Sequence, residues 1–262
     1  MFVATKLNLK RVSFIVLLLL THLSFSYYYF PWFWSSLIGF VIILFLSYKI
    51  WKNAFIFWIG IPVKRKELLI SLLLLIIFFA GSFAIILLIA RNNQIEIRLR
   101  SYKTLVHSLF YTLNEEIIIG ALLLKGIRHR WKKLSKPLIS LTVALAFALV
   151  HFIFYKLIFV ASGNLSLITI VTLFLVGVFR NNLILKTGHI GYSWALHFGW
   201  IYVMLGCQHL NLLTAKYLTD FDRFQMYLGD FRVMIISLVL AGFSFYLIKK
   251  KLLFPDYGHP IA

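Results

Sequence analysis

Acidic residues are scarce in this 262-residue chain: eight Asp and Glu stand against 27 Lys and Arg, a formal charge of +19. Charged residues of both signs make up only 13% of the whole, about half the share in a soluble domain. So little charge does not cover a water-soluble protein of this length, which excludes soluble, disordered and fibrous readings. Cysteine occurs once, as Cys207, so neither an intramolecular disulfide nor a cysteine-based metal cluster can form within the chain. Cys207 falls near a predicted helix end and is assigned no role. What is abundant is apolar: 61% of residues are hydrophobic and 18% aromatic. The chain reads as a membrane protein.

Apolar runs of membrane-spanning length lie near 12–30, 33–50, 68–90, 105–127, 137–160, 165–185, 188–206 and 232–248. They predict an all-α polytopic bundle of about eight transmembrane helices, with residues 1–262 forming one domain. The first run follows Lys6, Lys10 and Arg11 like a signal peptide, but an aromatic cluster follows it where a small-residue cleavage site would stand. It is therefore expected to be a retained helix. The segment 54–62 is too short to span and is expected at the interface, as is an amphipathic-looking loop over 91–103. With the N-terminus inside, 19 of the 27 basic residues, Arg180 and Lys186 among them, fall on inner segments, and Asp220, Asp222 and Asp230 fall in an outer loop. The positive-inside rule then places both termini in the cytoplasm. The excess positive charge thus reads as orientation and as contact with anionic headgroups, chiefly by the basic loop 125–136, and not as a nucleic-acid partner. High Phe, Ile, Leu and Lys content fits a bacterial inner membrane.

Six of the eight acids (Glu67, Glu96, Asp220, Asp222, Asp230 and Asp256) fall in predicted loops or the tail. The other two, Glu115 and Glu116, sit side by side inside LVHSLFYTLNEEIIIGALLLKGI. An ionisable group at the bilayer centre costs at least ~2.5–3.5 kcal/mol, and adjacent carboxylates also repel. A pair held there at that cost points to function. His151 and His197 are likewise set within apolar runs, whereas His22, His107, His129, His189, His209 and His259 lie nearer predicted ends, loops or the tail and are assigned no chemistry. At the helical rise, Glu115 is about 15 Å from Lys125, His151 about 21 Å from Pro137, and His197 about 14 Å from Gly188. These depths agree, so one buried cavity can hold all four groups. Depth alone permits a proton relay, a metal site or the activation of a hydrolytic water.

The motifs narrow this choice. The sequence resembles the CPBP intramembrane proteases, the group of the CAAX prenyl endopeptidases also called the Abi family. Their pattern is Glu-Glu-x-x-x-Arg, then Phe-x-x-x-His, then His-x-x-x-Asn/Asp, on separate helices of an eight-helix bundle. Here NEEIIIG supplies Glu115 and Glu116 with Gly120 in the arginine's place, FALVH supplies Phe147 and His151, and ALHFGWI supplies His197 with Ile201 in the Asn/Asp place. The likeness covers about 105–201, within a core of about 105–206.

The resemblance implies an intramembrane endopeptidase acting on a membrane protein or peptide by metal-free glutamate chemistry, without a cofactor. Glu115 would activate water, His151 would help hold it, His197 would help stabilise the oxyanion, and Glu116 would support them. Two departures carry consequences. Position 120 is one turn from Glu116, so another basic residue or a proton must neutralise that face. Ile201 donates no hydrogen bond, and Asn114, Asn181, Asn182 and Tyr192 are candidates to replace the lost donor. If none does, the chain is a weak or inactive member that binds a partner, for instance in bacteriocin immunity. A proton-coupled transporter is disfavoured because no inverted repeat and no Gly/Pro-broken helix pair is found. Metal hydrolysis is disfavoured because the one-helix His-Glu-x-x-His spacing is missing.

Overall fold

In hydrocarbon every backbone N–H and C=O must find a partner within the chain, and long apolar runs meet that demand as helices. The computed structural model describes residues 9–25, 34–60, 65–100, 102–157 and 165–249. Its helices are α1 (Leu9–Leu23), α2 (Trp34–Ile59), α3 (Arg65–Asn92), α4 (Tyr102–Glu115), α5 (Gly126–Arg130), α6 (Lys136–Leu157), α7 (Leu167–Thr187), α8 (Gly191–Ile201), α9 (Asp220–Leu228) and α10 (Phe231–Lys249). Two π-helical stretches, π1 (Glu116–Lys125) and π2 (Tyr202–Gly206), continue α4 and α8 without a break.

Among the described residues helices overlap each of the eight expected runs, yet four segments are long and apolar enough to cross a membrane: Trp34–Ile59, Arg65–Asn92, Leu167–Thr187 and Phe231–Ile248. Arg11–Leu23 and Lys136–Phe152 are apolar but shorter. The protein is an integral membrane protein of mainly helical build, with four spans identified by length and composition among the described residues. Within α2, Lys52 adopts a non-helical backbone (φ 46°, ψ −127°) that kinks the helix. Beyond the kink Phe55 and Trp58 turn into the core. The aromatic cluster at 26–33 and Asp256 lie outside the described residues.

Two expectations need correction. The 91–103 segment is not all loop: β1 (Ile95–Arg98) pairs antiparallel with β2 (Gln208–Asn211), and β2 with β3 (Lys216–Tyr217). Its IEIR alternates buried Ile95, exposed Glu96, half-buried Ile97 and exposed Arg98, the period-2 pattern of a strand with one covered face. Glu67 is not in a loop but buried in the first turn of α3, 3.9 Å from His189.

Small residues let the helices that frame the site approach one another. A Cβ at Gly177 of α7 would stand 3.2 Å from Ala144 of α6, and one at Gly199 of α8 would stand 3.0 Å from the backbone of Phe79 in α3.

The sheet and α9 cap the end of α8–π2. Thr219 and Asp222 form a capping box that starts α9 and so sets Arg223 beneath the cap. Arg223, 1% exposed, pairs with Asp220 and donates from Nη1 to the carbonyls of Leu205 (2.9 Å) and Cys207 (2.6 Å). Those oxygens end the helix and have no successor turn to bond. His209 Nε2 lies 3.3 Å from the Val203 carbonyl, which can only accept, so Nδ1 is left to accept from the Tyr227 hydroxyl at 2.7 Å.

Burial, reinforced by the nearby Arg223 charge, pushes the His209 imidazole down to about 4. The unfolded chain, with histidine near 6.5, binds the proton first, so the cap loses stability as pH falls from about 6.5 towards 4. The loss approaches ~3 kcal/mol at the acid end of that window. Limited proteolysis of the 208–228 region across this range should show progressive opening, and His209→Gln should flatten the dependence.

Candidate active site

Glu115 ends α4 and Glu116 begins π1, so the switch from α to π winding falls between the two carboxylates. Both are buried, Glu116 completely. Such mid-helix π segments recur at functional sites, where they redirect side chains without breaking the helix.

The two oxygens of Glu115 have different neighbours. Tyr111, one turn earlier, donates its hydroxyl to Oε1 at 2.8 Å, and His22 Nε2 of α1 lies 3.9 Å from that same oxygen. Oε2 faces His197 Nε2 at 3.4 Å. His197 reaches both carboxylates, because its Nδ1 donates to Glu116 Oε1 at 3.1 Å.

Glu116 is held more tightly. Arg180 Nε donates to Oε1 at 2.6 Å and Ser193 Oγ donates to Oε2 at 2.6 Å. These charge-assisted bonds are at the short, strong end of their range. Arg180, 4% exposed, also stands with its Cζ 5.2 Å from the centre of the Phe147 ring. A Cβ at position 120 would stand 3.3 Å from Arg180 Nη2 and 2.8 Å from Ile184 Cδ1. Gly120 therefore leaves room for an arginine that comes from α7.

His151 Nδ1 lies 2.8 Å from the Phe147 carbonyl one turn back, which assigns the proton to Nδ1 and the lone pair to Nε2. Its ring stacks on Phe224 at 6.1 Å, and it is within electrostatic reach of Glu115. Of the four residues singled out on sequence, the structure thus places Glu115, Glu116 and His197 in direct contact, with His151 alongside.

Arg180 requires a correction. It is not an inner-segment charge that sets topology but a buried side chain within α7 that neutralises Glu116. The signal for it in the sequence is its position within LFLVGVFRNNLILK, an apolar stretch. Sequence reasoning also misses His22, Tyr111 and Ser193: one histidine in an apolar helix, and two hydroxyls with no distinguishing pattern. Asn181 and Asn182 do not replace the donor lost at Ile201, since their amides bond the Ser140 carbonyl (3.0 Å) and the Ser244 hydroxyl (2.8 Å). Asn114 Nδ2 reaches the Ser36 carbonyl at 3.4 Å, Tyr192 packs edge-on against His189, and Ile201 packs against the core.

Residues 99–203 match the family model described as type II CAAX prenyl endopeptidase Rce1-like. Over that stretch, which holds the glutamate and histidine motifs, the chain is similar to the Rce1-like family. No curated protein and no solved structure matches the chain. The Rce1-like region includes the glutamates, Tyr111, His151, Arg180, Ser193 and His197, and excludes His22 and the cap elements β2, β3 and α9. Among the described residues no three His, Cys, Asp or Glu side chains form a group able to hold a metal ion.

Proposed function

We propose that this protein is an intramembrane endopeptidase that hydrolyses a peptide bond of a membrane-associated protein substrate with water activated by Glu115. The observation that carries the reading is the buried Glu115, with Oε1 bonded by Tyr111 and Oε2 beside His197, next to a second glutamate whose charge Arg180 offsets. In the reaction, Glu115 takes a proton from water as the water oxygen bonds to the scissile carbonyl carbon, and the carbonyl oxygen becomes an oxyanion. His151 Nε2 offers the lone pair that accepts the water's other hydrogen. His197, carrying a proton on each ring nitrogen between the two carboxylates, keeps Nδ1–H on Glu116 and donates from Nε2 to the oxyanion. Collapse breaks the C–N bond, and the proton held by Glu115 passes to the leaving amine. Glu116 orients His197 through Nδ1. A positioned general base is typically worth about 10²–10⁴ in rate.

The partners are a membrane protein or peptide and a bilayer with anionic headgroups that meets the basic loop 125–136. The proposed setting is a bacterial inner membrane with both termini cytoplasmic. A second reading has one observation in its favour: Ile201, half-buried, packs against the core and offers no donor. On that reading the same scaffold binds a partner, as in bacteriocin immunity, with little or no catalysis.

The two readings separate in proteoliposomes offered a panel of quenched fluorescent peptides, prenylated and unprenylated. The protease reading expects cleavage by the unaltered chain and its loss in Glu115→Ala and His151→Ala. Cleavage that persists in both variants sinks it. Loss of cleavage on chelation with recovery on adding zinc would overturn the metal-free chemistry.

A further inference from the structure

Along α1, Val12, Val16, Leu17 and Leu20 are exposed, as a lipid-facing helix surface requires, while Leu18 and His22, one turn apart, are buried on the opposite side. An imidazole in such a helix is costly unless it meets a polar partner. His22 is 1% exposed, its Nε2 lies 3.9 Å from Oε1 of Glu115, within ion-pair range and beyond hydrogen-bond length, and its ring centre is 4.9 Å from that of Tyr111. Tyr111 donates to the same oxygen. Two groups from two helices therefore converge on Oε1, and the other oxygen is left towards His197.

We propose that His22, which lies outside the Rce1-like region, is a positioning residue of this site: together with Tyr111 it immobilises Oε1 of Glu115, so that Oε2 is the oxygen that meets the reacting water. The assignment of Oε2 to the water rests on the protease reading; the immobilisation of the carboxylate does not. A carboxylate that pivots about its Cγ–Cδ bond presents either oxygen at a variable angle. One whose oxygen is gripped presents the other at a fixed one, and orientation of this kind is worth up to about 10²-fold in rate. The groups facing Glu115 are Tyr111 on its own helix, His22 from α1, His151 from α6 and His197 from α8, with Glu116 adjacent and Arg180 from α7 paired to it. His107 of α4 stacks on Tyr111, with ring centres 6.1 Å apart. Among these, His22 is the contribution of α1, a helix that the motifs leave without a function.

The test compares His22→Phe, which keeps an aromatic ring and removes both ring nitrogens, with His22→Gln, which restores a donor, in lipid. Two readouts are taken: infrared difference bands of the Glu115 carboxyl group, assigned by their disappearance in Glu115→Gln, and kcat and KM on a peptide that the unaltered chain cleaves. The expected result is a shifted, broadened Glu115 band in His22→Phe and its recovery in His22→Gln. With it, kcat falls about 10²-fold in His22→Phe at unchanged KM and unfolding temperature, and His22→Gln regains at least tenfold. An unshifted band in His22→Phe overturns the positioning role, as does a loss of kcat that only follows a lowered unfolding temperature. A shifted band in a chain that cleaves none of the peptides leaves the positioning role standing and rejects the protease reading instead.

Discussion

Replacing Arg180 with leucine is expected to destabilise the protein by about 3–5 kcal/mol, the usual cost of leaving one member of a buried ion pair uncompensated. Glu116 has no exposure to solvent, and its remaining partners, Ser193 and His197, share its oxygens without adding a fixed positive charge. The same loss is expected to be partly reversed by Gly120→Arg. Position 120 is one turn along from Glu116 and adjoins the space that the Arg180 guanidinium occupies, with Nη2 3.3 Å from a Cβ there. In the unaltered background Gly120→Arg should do the opposite, because it brings two cations together and presses on Ile184 Cδ1, 2.8 Å from the new Cβ. Unfolding temperatures in lipid for the two single variants and the double variant check this. Arg180→Leu and the double variant unfolding at the same temperature would reject the exchange of the arginine between helices.

The second large effect separates the two adjacent glutamates. Glu115→Gln is expected to lower cleavage by about 10²–10⁴, because an amide cannot take the proton from water. Its stability should change little, since the amide oxygen still accepts from Tyr111. Glu116→Gln should show the reverse weighting. It leaves the buried Arg180 charge without an anion, so about 3–5 kcal/mol of stability is at stake, while the water-activating carboxylate survives. Parallel measurements of kcat and unfolding temperature decide it. Equal losses of both quantities in both variants would mean that the pair acts as one unit.

Much of this site is legible in the sequence. Glu115 and Glu116 stand out because carboxylates are costly in an apolar run, and His151 and His197 lie at matching depths on the runs that follow. The requirement that something basic replace the arginine missing at 120 is also legible, because residues four apart share a helix face. Which residue meets that requirement is not. Arg180 lies 64 positions along the chain from Glu116, and its place in the sequence groups it with the topology-setting charges. His22 carries no signal beyond its type, since a histidine near the end of an apolar run looks the same whether it faces lipid, headgroups or a carboxylate.

The same division holds for the fold. Run length and hydropathy by themselves determined that the chain is a helical membrane protein and roughly where each helix lies, because backbone hydrogen bonding in hydrocarbon leaves few alternatives. The small sheet escapes such a reading, although IEIR carries a strand period, because a strand of four residues needs partners and its partner lies more than 100 residues away. Only the tertiary structure decided which buried charge neutralises which, and which oxygen of Glu115 is gripped and which is turned to His197. Helix periodicity ties together side chains three or four residues apart and no further, whereas a pairing between helices depends on how closely they pack, here through Gly120, Gly177 and Gly199.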